Sequence, residues 1–486
     1  MSAEAETILE DPYSPKTIQP KVEKADLDLI TQAQTDSGKT QKQGRPIFFK
    51  EKEFKVRPSL LTTSFEGTSG IVFNYVIAIF VLLWMATVVN DIVQHKNPLS
   101  HLWLILWNFE KLPLTLLAWT TMAGSTFLVF AGLKFWSLIP SKSVTAVSES
   151  FWILGFISYM VGFFYFSLKF LFAQQLNPAC SFIITCESTR IAMKTYAFVR
   201  ENIPRGIERK LALADGREKI RPGEGSKNWP TPHQYLYYFF CPSFLYRDSY
   251  PMTESRDWSL VAKHLGQALG CIYFVDLLHI QFIKPYFDTL DYHKITVGEL
   301  VYSLFPAIIP GSFCLWMLFY GLLHCWLNMF SEAMYFGDRL FYANWWNSRN
   351  MAEYYRNWNL VVHEWLYAYV YKDVATLIGG KKGLKVAQVT VFFLSAFFHE
   401  FWFGVSLRIF YPIMFVLYFI FGGIFFSVSR LIKVPYVWNI AMWFNLLIGT
   451  GMFVSCYATE WYARQRCESQ FENAFIDVLV PRLWTC

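Results

Sequence analysis

Six stretches of the chain run uncharged for about the length of a membrane crossing: Gly70–Asn90, Leu112–Leu133, Phe151–Leu168, Leu300–Ser331, Ile409–Ser429 and Val434–Thr459. About 20 mostly apolar residues span the hydrocarbon core as a helix. A seventh stretch, Val386–Leu407, is broken only by His399-Glu400. Two weaker ones carry charge: Cys180–Val199 holds Glu187, Arg190 and Lys194, and Leu260–Phe282 holds Lys263, His264, Asp276 and His279. Ionisable groups at that depth face protein or water rather than lipid. The pattern predicts an all-α polytopic membrane protein with about nine transmembrane helices. An odd number puts the two ends on opposite sides.

Before the first span, residues 1–68 are polar and rich in Glu, Lys, Thr and Gln. They read as a largely disordered arm with a weak helical pattern over Val22–Ala33. No apolar stretch follows Met1, so no cleaved signal peptide is expected. The membrane-embedded domain covers 69–459, and 460–486 form a short tail. Basic residues crowd the arm, Arg200–Lys227 and 329–385. Placing these on the cytosolic side puts the tail in the lumen. Two segments between spans, Pro232–Met252 and Phe330–Lys385, mix aromatic and polar residues without clean alternation. They read as membrane-surface or buried re-entrant segments.

Composition sharpens this picture. Of 486 residues, 54% are hydrophobic and only 16% charged, against about 25% in soluble domains. The net charge of +6 has no basic face interleaved with stacking aromatics, so nucleic acid is not an expected partner. Nine cysteines show no zinc-like spacing, and no metal site is expected. Cys467 and Cys486 alone lie beyond the last span, where a luminal disulfide can form.

Candidate chemistry sits at three places. His399, in SAFFHE, lies deep in an apolar helix. An intramembrane imidazole is either a functional group or a structural one satisfied by a neighbouring helix. His264, His279 and His324 read more simply as structural. Asn359 and His363, at i and i+4 in WNLVVHEW, project from one face if the segment is helical. Such an Asn is either an oxyanion donor or part of an interfacial polar stripe. Lys381, Lys382 and Lys385 follow Gly379-Gly380 and either meet phosphates or serve as positive-inside charges. No GxSxG, HExxH or P-loop is present.

The residues Phe341, Tyr342, Trp345, Trp346 and Asn347 match an FYxDWWN box, with Asn344 in place of its Asp. Together with WNxxxH at 358–363 and SAxxHE at 395–400, this box resembles the membrane-bound O-acyltransferase family. The stretches QYLYYFFCPSFLYRDSYP (234–251), HCWLN (324–328), FGDRLFY (336–342), HEWLYAYVYKD (363–373) and EWYARQRC (460–467) are similar to its sterol branch. The resemblance implies the membrane-bound O-acyltransferase fold and an endoplasmic reticulum location. It further implies acyl transfer from long-chain acyl-CoA to a sterol 3β-hydroxyl. His399 would be the general base and Asn359 the oxyanion donor. Trp358, Trp345, His363 and Ser395 would line the site, and Arg356, Tyr371 and the lysines at 381, 382 and 385 would contact CoA. Acyl-CoA is a co-substrate, so no cofactor is implied. Membrane lipid and a homodimer or dimer of dimers are the expected partners. Asn344 is expected to cap or hydrogen-bond backbone as the Asp would. The competing readings are a diacylglycerol or long-chain-alcohol acyltransferase of the same family, a lipid or proton-coupled transporter, and an inactive sterol-binding scaffold.

Overall fold

A computed structural model describes residues 49, 51–65, 70–217, 229–429, 431, 432 and 434–486, and each of the nine ranges above falls mainly in helix, with 409–412 irregular. The chain divides into Met1–Phe49 and Lys50–Cys486. Of the first unit only Phe49 is described, so the expected helix over Val22–Ala33 lies outside the described residues. Residues 51–65, expected to end the polar arm, belong to the second unit and include a short helix α1, Leu60–Phe65.

The long helices follow in order: α2 Gly70–Val93, α3 Leu112–Ser137, α4 Ser150–Ala173 and α5 Pro178–Ala214. After the short α6, Pro232–Phe240, come α7 Trp258–Phe287 and α8 Val297–Ala333. Four pieces then build the site region: α9 Met351–Trp358, α10 Leu360–Leu366, α11 Lys372–Ile378 and the long α12 Gly380–Leu407. The chain closes with α13 Ile413–Ser429 and α14 Pro435–Arg466, which continues past Thr459. Among the described residues, seven helices are long and apolar enough to cross a membrane, and α13 is a shorter apolar one. The protein is a multi-pass membrane protein.

The helix α5 is the exception, because its charges keep it out of that set. One face of it is buried, and several of its charged groups bond inside the protein. Glu187 bonds Arg190 at 2.7 Å and accepts from Trp119 Nε1 at 2.5 Å. The Lys194 ammonium donates to the carbonyls of Tyr238 and Cys241 at 2.6 and 2.7 Å. Those bonds hold the irregular backbone after α6, which membrane depth tolerates only inside protein.

In lipid, helices associate through close packing and hydrogen bonds rather than hydrophobic burial. The contact of α8 with α14 shows this. A Cβ at Gly311 would stand 3.0 Å from the Thr450 carbonyl, and one at Gly451 would stand 2.7 Å from Ile308 Cγ1. Around the site the packing is aromatic instead. Phe341, Tyr342, Trp345, Tyr354, Trp365 and Trp438 belong to one buried cluster.

Candidate active site

The segment from α9 to α12 is a broken hairpin. Asn350 caps α9 by accepting from Glu353 N–H at 2.9 Å. At Asn359 the backbone turns extended (φ −144°, ψ 91°), so α9 stops and α10 begins. Asn359 and His363 therefore do not share a continuous helical face as expected; Asn359 is the cap and His363 stands in the first turn after it. The break is fixed by tertiary bonds. Leu360 N–H donates to the Phe341 carbonyl, and Ala343 N–H to the Asn357 carbonyl, each at 2.9 Å. The aromatic box is thus stitched to both sides of the break.

This capping orients the Asn359 carboxamide. Its Oδ1 accepts from Val362 N–H at 3.1 Å, which leaves the NH₂ end as the available donor. Beside it, the Trp358 ring lies 4.6 Å from Trp345 and 5.1 Å from Phe319. Trp345 is buried, and its Nε1 has no hydrogen-bond partner among the described residues. From His363, flat stacking runs to Tyr367 at 6.4 Å and on to Tyr371 at 5.8 Å. Burial, aided by the Arg356 guanidinium, holds His363 down to about 4, so its ring is neutral. Burial pushes the neighbouring Glu364 carboxyl up, with Lys52 pulling the other way.

The turn between α11 and α12 needs two consecutive left-handed residues, Gly379 (φ 73°) and Gly380 (φ 60°). It folds α12 back along α11 and the π turn Tyr367–Tyr371. Asn359 lies 20 residues before Gly379 and His399 20 residues after it. At about 1.5 Å per residue, both stand about 30 Å from the turn along antiparallel arms. Tyr355 on α9 joins the arms. Its ring is 5.2 Å from Phe392, two helical turns before His399. Its hydroxyl reaches to 2.8 Å of where a Cβ on Gly422 would stand.

His399 is partly buried and its Nδ1 is 2.7 Å from the Ser395 carbonyl. A carbonyl only accepts, so Nδ1 carries the proton and Nε2 keeps its lone pair. Among the described residues Nε2 has no partner. Two aromatics that the sequence pattern did not single out fix the ring plane. Tyr418 on α13 stacks on it at 4.4 Å, and Trp402 packs at 4.8 Å. Trp402 is held in turn by donating to Thr189 Oγ1 at 2.9 Å. Glu400 faces elsewhere. It accepts from Tyr457 O–H at 2.8 Å and from Phe415 N–H at 3.2 Å, which pins the start of the helix carrying Tyr418. Adjacency to His399 is the only sequence signal for Glu400, and Tyr418 has none.

The remaining predicted residues are placed as follows. Arg356, Lys381, Lys382 and Lys385 are exposed and make no ion pair among the described residues. Tyr371 is partly buried and stacks on Tyr367. Within the box, Phe341, Tyr342 and Trp345 are buried, while Trp346 and Asn347 carry its outer edge. Asn344 is exposed and makes no side-chain cap bond, so the backbone-bonding role expected for it is not what the structure contains. Cys467 and Cys486 are joined by a disulfide with Cα atoms 5.4 Å apart.

The arrangement offers an imidazole with an open basic nitrogen, a carboxamide donor three residues after the exposed Arg356, and exposed lysines at the turn of the hairpin. Comparison with known proteins gives this geometry its context. The model of the membrane-bound O-acyltransferase family matches residues 225–459. The chain is 37% identical over 440 residues to sterol O-acyltransferase 1 of Chlorocebus aethiops, covering 90% of this chain and 78% of that protein. It is 37% identical over 442 residues to sterol O-acyltransferase 1 of Mus musculus, covering 90% and 79%. To sterol O-acyltransferase 2 of Homo sapiens it is 34% identical over 443 residues, covering 91% and 81%.

Proposed function

The chain belongs to the membrane-bound O-acyltransferase family, and from that premise we propose that it transfers a long-chain acyl group from acyl-CoA to the 3β-hydroxyl of a sterol, with His399 as general base. It is an acyltransferase, and the sterol acceptor is supported by the similarity along nine-tenths of its length to two kinds of sterol O-acyltransferase. The observation that carries the base assignment is the Nδ1 bond of His399 to the Ser395 carbonyl. It presents Nε2 unprotonated, the form a general base needs.

In this reading the sterol hydroxyl gives its proton to Nε2 as its oxygen attacks the thioester carbon. The carbonyl oxygen becomes an oxyanion, and the Asn359 amide N–H donates to it. Collapse expels the CoA thiolate, which takes the proton back from the imidazolium. Bonds made and broken balance without an acyl-enzyme or a cofactor. Arg356, Tyr371 and the lysines at 381, 382 and 385 contact CoA; the support is the exposed charge of Arg356, three residues before Asn359, and of the lysines just after the turn. Trp358, Trp345 and His363 line the apolar wall. The neutrality of His363 suits a wall that meets an acyl chain.

We place the protein in the endoplasmic reticulum membrane as a homodimer or dimer of dimers, with its amino terminus cytosolic and its carboxyl terminus luminal. The disulfide in the tail supports a luminal position, because that compartment is oxidising. The functional test supplies labelled oleoyl-CoA to the reconstituted protein with a sterol, a diacylglycerol or a long-chain alcohol. Ester formation on the sterol alone is the expected result. Ester formation on either other acceptor, with none on sterol, overturns the acceptor assignment.

A further inference from the structure

The acyl-transfer reading leaves one polar cluster unused, in the segment just before the first membrane helix. Lys52 Nζ donates to Glu364 Oε2 at 2.6 Å and lies 3.7 Å from Asp338 Oδ2. Arg57 meets the same Asp338 carboxylate at 3.2 Å. The Asp338 side chain has no exposure, and among the described residues its cationic partners are Lys52 and Arg57. A buried carboxylate stripped of its counter-charge is strongly disfavoured. The neutralisation of this loop therefore comes from outside it, from the segment 52–57.

Backbone bonds add to the charges. Arg57 N–H donates to the Gly337 carbonyl at 2.9 Å, and Arg339 N–H donates to the Arg57 carbonyl at 3.1 Å. On the other side of that loop Gly337 N–H donates to Pro251 at 2.8 Å. Loop 336–342 is thus gripped between 251–253 and the segment 52–57. Farther along, Ser59 Oγ is 3.2 Å from both the Tyr342 hydroxyl and His324 Nδ1, and all three residues are buried.

What these bonds hold is the frame of the site. Loop 336–342 leads into the aromatic box, whose Phe341 carbonyl anchors the first residue of α10. Glu364 sits on α10 next to His363, five residues after Asn359. The strap therefore touches the oxyanion donor's helix at both ends, once through Glu364 and once through the box.

We propose that residues 52–59 are a positioning strap for the acyl-transfer site, in which Lys52 and Arg57 neutralise Glu364 and Asp338 and so set the placement of α10 and of Asn359. This inference rests on the acyl-transfer reading. Its consequence is that the polar segment 52–59 is coupled to catalysis rather than being an appendage to it.

The test uses the full chain reconstituted in sterol-containing liposomes. Lys52→Met should lower kcat about tenfold while KM for oleoyl-CoA stays within about twofold, since positioning of the oxyanion donor acts mainly in the transition state. Lys52→Arg should recover kcat to within about twofold of wild type. The charge reversal that combines Lys52→Glu with Glu364→Lys should exceed either single variant. In Lys52→Met, amide hydrogen exchange should quicken at least about threefold in 336–342 and 360–366 and stay unchanged in 70–93. That readout is independent of turnover. If the wild type forms no steryl ester, the acyl-transfer reading fails while exchange still judges the strap. Unchanged exchange in 336–342 and 360–366 overturns the proposal. So does a Lys52→Met kcat within about twofold of wild type, or a loss that neither Lys52→Arg nor the charge reversal recovers.

Discussion

His399 and His324 both lie within membrane helices, yet their nitrogens are used in opposite ways. At His399 the protonated Nδ1 is tied to the helix's own backbone at Ser395, and the basic Nε2 has no partner among the described residues. At His324 it is Nδ1 that accepts. The Asn328 amide lies 3.3 Å away, and it can only donate there, because the same NH₂ group also bonds the His324 carbonyl at 2.7 Å. The Tyr342 hydroxyl at 2.7 Å and Ser59 Oγ at 3.2 Å crowd the same nitrogen. One imidazole keeps its lone pair for chemistry, and the other spends it inside a buried network. His324 is buried and His399 partly buried, and the chemical difference is which nitrogen is occupied.

The comparison sharpens first at the group that works beside His399. Asn359→Ala should cut kcat by about 10²–10³ with little change in KM, because an oxyanion donor acts in the transition state. Steady-state kinetics against oleoyl-CoA reads the split, and a pure rise in KM would make Asn359 a binding residue instead.

The next effect belongs to the other histidine. His324→Phe leaves the Tyr342 hydroxyl and the Asn328 amide short of a buried acceptor, which costs about 1–3 kcal/mol for each group left unmade. The melting temperature should fall by several degrees while kcat of the folded fraction stays within about tenfold. A hundredfold loss of kcat at unchanged melting temperature would erase the distinction between the two sites.

A third histidine tests the same logic through pH. Folded His363 titrates at about 4, whereas an unfolded imidazole titrates near 6.5. Between those values the unfolded chain binds the extra proton, so stability is present above about pH 6.5 and is lost as pH falls. In His363→Gln that loss disappears, and the melting temperature should drop ~1–3 °C less than wild type between about pH 7 and pH 5. Equal drops would show that His363 is already charged in the fold.

The smallest effect is at Asn344. It is exposed and makes no cap bond. Asn344→Asp should leave kcat within about threefold and the melting temperature unchanged, as surface substitutions generally do. A tenfold rise in kcat would mean that the family's carboxylate takes part in the chemistry.

Much of this was legible in the sequence. Among the described residues the apolar runs marked the seven long spans and the shorter α13, because α2 and its like answer only to lipid and their pattern is local. Even the charged α5 was visible, as a weaker run whose ionisable groups were expected to face protein or water. His399 stood out because an imidazole in an apolar helix is costly. The break at Asn359 was not legible, since it is set by the Leu360 bond to Phe341 and the Asn357 bond to Ala343, which join separate parts of the chain. Neither was Tyr418, one aromatic among many in α13, whose role exists only where α13 crosses α12. Lys52 and Arg57 looked like the end of a polar arm for the same reason: their partners, Asp338 and Glu364, are about 300 residues away in sequence.

The central claim is that the open nitrogen of His399 takes the sterol proton. Its most direct test is single-turnover acyl transfer by His399→Ala, measured beside oleoyl-CoA binding to the same preparation. The account predicts acyl-CoA affinity near wild type and no detectable steryl ester. Turnover above about a tenth of wild type, well short of what losing a general base costs, would contradict it.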